Sequence, residues 1–264
     1  MLDITTTDRI TLLTLNRPER HNAFGPELIQ AITTALRQLA DDNGTRVVII
    51  TGAGRSFSAG ADLNYMKSMV NFSHADNIKD AGHLADMLDT LHRFPKPLIA
   101  AVNGNAMAGA TGIVAASDIV IAASDARFAI TEVRLGIAPA VISPWLIARI
   151  GIHQARRFFL TAEPFNAEQA QAMQLVHEIV PPDALLTRAR DIAAQILHNG
   201  PTALQATKEL IRTVAPPVSS DETRRYTCEL IARLRTSEEG QQGLAAFFSK
   251  NMPPWAPSSK GDGS

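Results

Sequence analysis

Apolar residues gather along this chain in short unbroken runs, separated by stretches that repeat every three or four positions. Residues 10–15, 47–51, 98–102 and 119–122 are such runs, and they predict buried strands. Between them, residues 26–39 carry Leu28, Ile32, Ala35, Leu36 and Leu39 on one helical stripe, with Pro26 suited to a first turn. Residues 81–91 repeat that pattern with Leu84, Met87, Leu88 and Leu91. Strands alternating with helices predict an α/β core. The segments 119–122 and 127–130 flank a turn at Ser124-Asp125-Ala126 and predict a strand pair.

After about residue 150 the pattern becomes helical throughout. Helices are expected over 154–160, 167–173, 182–198 and 202–213. Ala215-Pro216-Pro217-Val218-Ser219-Ser220 reads as a linker or sharp turn, after which Asp221 and Glu222 open a helix running toward Arg235. A last helix over 237–249 has Leu244, Phe247 and Phe248 as its apolar side. Pro253, Pro254 and Pro257 stop any continuation, and residues 258–264 are expected to be disordered. The span 98–123 is too interrupted, by Asn103, Asn105, Ser117 and Asp118, and too poor in large apolar side chains to cross a membrane.

Composition narrows the function by exclusion. Lys plus Arg number 25 against 26 Asp plus Glu, a formal net charge of −1 over 264 residues. No global field favours a nucleic acid or an anionic membrane as partner. Cys228 is the single cysteine, so neither an internal disulfide nor a cysteine metal site is expected, and the seven histidines show no ligand spacing. The polar opening Met1-Leu2-Asp3-Ile4-Thr5-Thr6-Thr7 lacks the apolar region of a secretory signal, so a reducing, cytoplasmic setting is expected.

Two small-residue turns carry the candidate chemistry. Ser58-Ala59-Gly60-Ala61-Asp62-Leu63 follows a strand and precedes a helical stretch, and Met107-Ala108-Gly109-Ala110-Thr111-Gly112 also leads into a helix. Each turn can offer a backbone N–H to one oxygen, and two convergent donors make a hole for a developing oxyanion. Glu132, flanked by apolar residues, supplies a group that can move protons, although beside Arg134 it could equally be half of a surface pair. Thr51-Gly52-Ala53-Gly54-Arg55-Ser56-Phe57 begins like a dinucleotide fingerprint but has Phe57 in place of the third glycine, and it reads as a strand-ending turn. Ser56 or Ser58 with His21 lacks the elbow of a serine nucleophile.

Together, Asn16-Arg17-Pro18-Glu19-Arg20-His21-Asn22-Ala23, residues 58–63, Lys96-Pro97-Leu98-Ile99-Ala100-Ala101-Val102-Asn103-Gly104 running into Gly109, and residues 131–139 resemble the enoyl-CoA hydratase (crotonase) family over essentially the whole chain. The resemblance implies an α/β fold: a crotonase-like spiral of strand–strand–helix turns over 1–198, and a helical oligomerisation region over 199–264 that builds trimers or hexamers. It implies an acyl-CoA thioester as substrate, with coenzyme A part of that substrate and no separate cofactor. Ala61 and Gly109 then match the two N–H donors, and Glu132 matches the acid that protonates the α-carbon. Arg20, Ala23, Ala59, Asp62 and Leu63 match positions around the CoA nucleotide, and Phe247 and Lys250 match a segment that holds CoA from a neighbouring subunit in relatives.

One departure stands out. The first glutamate of the usual pair falls on Gly112, which has no side chain to offer. The stretch 132–144 is similar to bacterial hydratases of branched 3-methylglutaconyl-type CoA esters, as in leucine breakdown. There the substrate's own carboxylate is expected to order the water, and an arginine such as Arg134 to bind it. A single-glutamate enoyl-CoA isomerase is the alternative, and a non-catalytic acyl-CoA-binding paralogue is a third.

Overall fold

The computed structural model describes residues 1–214 and 221–253. The strands, in chain order, are β1 (Leu2–Thr7), β2 (Ile10–Leu15), β3 (Val47–Gly52), β4 (Ser56–Ser58), β5 (Leu98–Val102), β6 (Asn105–Met107), β7 (Ile119–Ala123), β8 (Arg127–Ala129), β9 (Phe165–Asn166) and β10 (Glu178–Val180). The helices are α1 (Pro26–Asp41), α2 (Leu63–Ser68), α3 (His74–Arg93), α4 (Gly109–Ala116), α5 (Ser143–Thr161), α6 (Ala167–Ala172), α7 (Leu185–Leu197), α8 (Pro201–Val214), α9 (Asp221–Arg235) and α10 (Glu238–Ser249).

Two sheets form. One has the order β1-β2-β3-β5-β7-β10 and is parallel except for the antiparallel β1–β2 pair; the other has the order β4-β6-β8-β9. Each of β3, β5 and β7 runs in the first sheet, turns a corner, and continues as β4, β6 or β8 in the second. Helices follow β4 and β6, and repetition of this unit winds the chain into a spiral. The expected pairing of 119–122 with 127–130 is therefore corrected. β7 pairs with β5 and β10, β8 pairs with β6 and β9, and the turn at 124–126 is a corner between sheets rather than a hairpin.

Every residue of β3 and β5 is buried, as parallel strands covered on both faces require. Val48, Ile50, Ala100, Val102, Val120 and Ala122 face the main core with α1 and α3. Val47, Ile49, Ile99, Ala101, Ile121 and Ala123 face a second cluster closed by Leu185, Ala189 and Ala193 of α7. The corners are pinned by two asparagines. Asn103 Oδ1 accepts the Gly52 N–H at 3.0 Å while its Nδ2 donates to Gly54 O at 3.0 Å; Asn22 Nδ2 donates to Ala53 O at 2.8 Å and to Ser56 O at 2.7 Å.

The structure extends several expectations. β1 is a threonine-rich edge strand, mostly exposed, whose polar face hid it from a search for apolar runs. α3 starts at His74 because Ser73 and Asp76 form a reciprocal cap, well before the apolar stripe begins at Ala81. The expected helix at 154–160 is the second part of α5, broken at Gly151 with φ 70°. α9 lies along α3, and α10 packs on the turn at Glu132–Leu135 and covers it. The expected linker at 215–220 and the disordered tail at 258–264 lie outside the described residues. No helix among the described residues is long and apolar enough to cross a membrane.

Candidate active site

The two small-residue turns meet because Gly60 has no side chain. Its φ is 82°, and a Cβ there would stand 2.8 Å from Met107 O, so only glycine lets the loops close on each other. Phe24 fixes the first loop: its N–H donates to Gly60 O at 2.8 Å and its carbonyl accepts from Asp62 N at 3.0 Å. In such a parallel bridge the residue between the two bonded neighbours turns its own N–H to the opposite side. That residue is Ala61, and it lines a cavity of about 510 Å³.

The second loop is set by backbone strain. Ala108 has φ 48° and ψ −123°, a conformation that costs about 1–3 kcal/mol for a residue with a Cβ. It is held by its N–H to Ala129 O at 2.8 Å, and by Thr111, whose N–H and Oγ1 both donate to Ala108 O at 2.9 and 2.7 Å. Gly109 then opens α4, where a first-turn N–H has no partner within the helix. Gly109 lines the same cavity, and a Cβ there would sit 3.0 Å from the Phe24 ring. Phe24 thus touches both candidate donor residues.

Glu132 begins a short 3-10 turn, Glu132–Leu135, on the cavity wall. Its Oε2 is shut off from solvent without a hydrogen-bond partner. Burial pushes the carboxyl up from 4.5 to about 7, against the weaker pull of the Glu132 and Thr131 backbone N–H groups. The rest of the wall is largely apolar, with Met66, Leu84, Val141, Ile142, Ile231 and Leu244 prominent. A carboxyl near neutrality in such surroundings can take and return a proton at ordinary pH.

Gly112 is not on this wall. A Cβ there would stand 2.7 Å from Ile142 Cγ2 and 3.2 Å from Leu88 Cδ1, so Ile142 and Leu88 occupy the space a longer side chain would need. Gly112, which has no side chain to bring, is absent from the residues that line the cavity. The cavity offers Glu132 as its only carboxylate among the described residues.

The other candidates divide. Ala59 and Leu63 line the cavity, and Leu63 is 52% exposed at its mouth. Asp62 is instead a positioning group. Its Oδ1 accepts from Asn64 N at 2.9 Å to cap α2, and Oδ2 accepts from Arg17 Nη2 at 3.1 Å. Burial alone would raise the Asp62 carboxyl, but the Asn64 and Tyr65 N–H groups and the Arg17 cation outweigh it and hold it below the usual range. Ala23 is buried behind the wall, with its carbonyl accepting from Arg17 Nη1 at 2.9 Å. Arg20 and Lys250 are exposed and stand off the lining. Phe247 lines the cavity of its own chain, with Leu244 and Ile231 beside it. Arg134 reaches the lining, but its Nη2 donates to Ala162 O at 2.7 Å.

Sequence reasoning missed Arg17 and Arg235. Arg17 sits inside the first motif, one residue ahead of Pro18, and only its bonds to Ala23 and Asp62 reveal its role. Arg235 closes α9 and lines the cavity from far along the chain.

Comparison with known proteins agrees with this fold. A family model described as enoyl-CoA hydratase/isomerase matches residues 5–258. A 2,3-dehydroadipyl-CoA hydratase of Escherichia coli is 34% identical over 246 residues, 93% of this chain and 94% of that protein. The crystal structure of an enoyl-CoA hydratase from Shewanella pealeana is 38% identical, with a TM-score of 0.79 over 96% of this chain and 95% of that one. One from Mycobacterium avium is 30% identical, with a TM-score of 0.85 over 97% and 98%.

Proposed function

The chain belongs to the enoyl-CoA hydratase/isomerase family, and from that premise we propose that it adds water across the 2,3 double bond of a 2-enoyl-CoA thioester using Glu132 alone. The observation that carries the reading is the Oε2 of Glu132, unpartnered and near neutrality, on the same cavity as the backbone of Ala61 and Gly109.

The thioester oxygen lies between the N–H groups of Ala61 and Gly109. Ionised Glu132 takes a proton from water as the water oxygen bonds to the β-carbon. The π electrons move onto the thioester oxygen, where two donors stabilise the enolate, each worth about 3 kcal/mol. The enolate then returns its electron pair to the α-carbon, which receives the proton from Glu132. The carboxylate is regenerated and one water has been consumed. The apolar wall keeps bulk water away from the enolate and keeps the Glu132 carboxyl near neutrality.

The finer reading is a branched substrate with a second carboxylate, of the 3-methylglutaconyl type. It is supported by the similarity of residues 132–144 to such hydratases and by Glu132 being the only carboxylate on the cavity among the described residues, with Ile142 filling the space beside Gly112. The same closed space supports a second reading, an enoyl-CoA isomerase, because moving a double bond needs a single carboxylate. Loss of enoyl-thioester absorbance with crotonyl-CoA supports the hydratase. Gain of absorbance from a 3-enoyl-CoA, with crotonyl-CoA untouched, supports the isomerase.

The assembly belongs to the proposal as well: a homotrimer or a hexamer of it. α8 supports it, presenting Leu210 and Ile211 at 59% and 58% exposure to solvent. Light scattering of the purified protein checks the mass, and a monomer refutes this part.

A further inference from the structure

The geometry points to Arg235 as the residue that reads a carboxylate at the far end of the acyl group, which gives the cavity a preference for dicarboxylic acyl thioesters. This deepens the hydratase reading and rests on it.

Arg235 is the last residue of α9, its side chain is 18% exposed, and it lines the same cavity as Glu132. One edge of its guanidinium is fixed: Nη1 donates to Asp80 Oδ2 at 2.7 Å. Asp80 is fixed in turn, because the Tyr65 hydroxyl donates to its Oδ1. Both carboxylate oxygens of Asp80 are thereby engaged, and the guanidinium is held in one orientation. Arginine has five N–H donors, and among the described residues the others on Arg235 meet no partner. A guanidinium on a largely apolar wall, its charge shared with Asp80 but with donors unspent, is matched by an anionic ligand group that can take two parallel hydrogen bonds.

The position suits an acyl terminus. Leu84 Cδ2 lies 3.9 Å from where a Cβ on Gly109 would stand, so Leu84 marks the thioester end. Asp80 precedes Leu84 by one turn of α3, a rise of about 6 Å. Asp80, and the Arg235 bonded to it, therefore sit one turn of α3 away from the residue beside Gly109. Arg134, the arginine expected from sequence to take this role, also lines the cavity, but its side chain is exposed, where water competes for its donors.

The test compares two saturated thioesters that cannot be hydrated, glutaryl-CoA and its neutral shape-match 5-methylhexanoyl-CoA, by titration calorimetry. Wild-type protein is expected to bind glutaryl-CoA at least about tenfold tighter, a gap of about 1.4 kcal/mol. Arg235→Met is expected to bring the ratio of the two dissociation constants close to one. Arg235→Lys, which keeps the charge but not the fork, gives an intermediate ratio. A wild-type ratio near one, or a ratio that Arg235→Met leaves unchanged because both ligands weaken alike, overturns the assignment. Hydration of crotonyl-CoA and 3-methylglutaconyl-CoA, followed separately, reports on the hydratase reading: a protein that prefers glutaryl-CoA but hydrates neither refutes that reading and leaves the carboxylate assignment standing.

Discussion

Ile142 Cγ2 stands 2.7 Å from the place a Cβ on Gly112 would take. The contact settles what a substitution there does. Ile142 is β-branched and cannot swing its methyl clear without moving its own backbone. Gly112→Glu is therefore expected to destabilise the protein by overpacking, by about 1–3 kcal/mol. For a chain of this size that lowers Tm by about 2–4 °C per kcal/mol. Adding Ile142→Ala to Gly112→Glu is expected to recover most of the loss. A thermal melt of Gly112→Glu that overlays the wild type contradicts the packing.

Glu132 also sets a pH dependence of stability. Its carboxyl is raised from 4.5 in the unfolded chain to about 7 in the fold, so between those values the folded state holds a proton that the unfolded state has lost. The cost of ionising it in the fold is absent below about pH 4.5 and complete above about pH 7, where it amounts to about 3 kcal/mol. Glu132→Gln removes this dependence. Urea unfolding from pH 5 to pH 8 is expected to show the variant gaining on the wild type as pH rises, and parallel curves contradict the burial of the carboxyl.

The same group predicts the rate profile. Hydration begins from ionised Glu132, so kcat/KM for a 2-enoyl-CoA is expected to rise with pH and level off above about 7. A profile that is flat from pH 5.5 to 8.5 assigns the proton transfer to another group.

Gly60→Ala tests the meeting of the two loops. The added Cβ meets Met107 O at 2.8 Å and must sit at φ 82°. Pushing the loops apart misaligns the N–H of Ala61 relative to that of Gly109. The loss of one oxyanion donor costs about 10²–10³ in kcat. A variant that is folded and keeps full kcat contradicts the convergence of these donors.

The core strands and the trio Ala61, Gly109 and Glu132 were legible in the sequence, and the three lie on one cavity. They were legible because buried parallel strands leave unbroken apolar runs and because close backbone approach demands small residues. Gly112 was legible as a departure but not in its meaning, since that depends on Ile142, thirty residues away in sequence and packed against it in the fold. The corner at 124–126 looked like a hairpin because a turn does not reveal which sheet receives its second strand. Arg235 was invisible for a similar reason. Its partner Asp80 lies on α3, the Tyr65 hydroxyl that holds Asp80 lies on α2, and nothing local to α9 marks it.

The most direct test of single-glutamate hydration is the absorbance of the conjugated enoyl thioester, followed with crotonyl-CoA and 3-methylglutaconyl-CoA for wild-type protein and for Glu132→Gln. The account predicts steady loss of absorbance with wild type and a rate about 10²–10⁴ lower with the variant, which still binds a saturated acyl-CoA. Wild-type protein that leaves both crotonyl-CoA and 3-methylglutaconyl-CoA unchanged, or a folded Glu132→Gln that hydrates at the full rate, contradicts it.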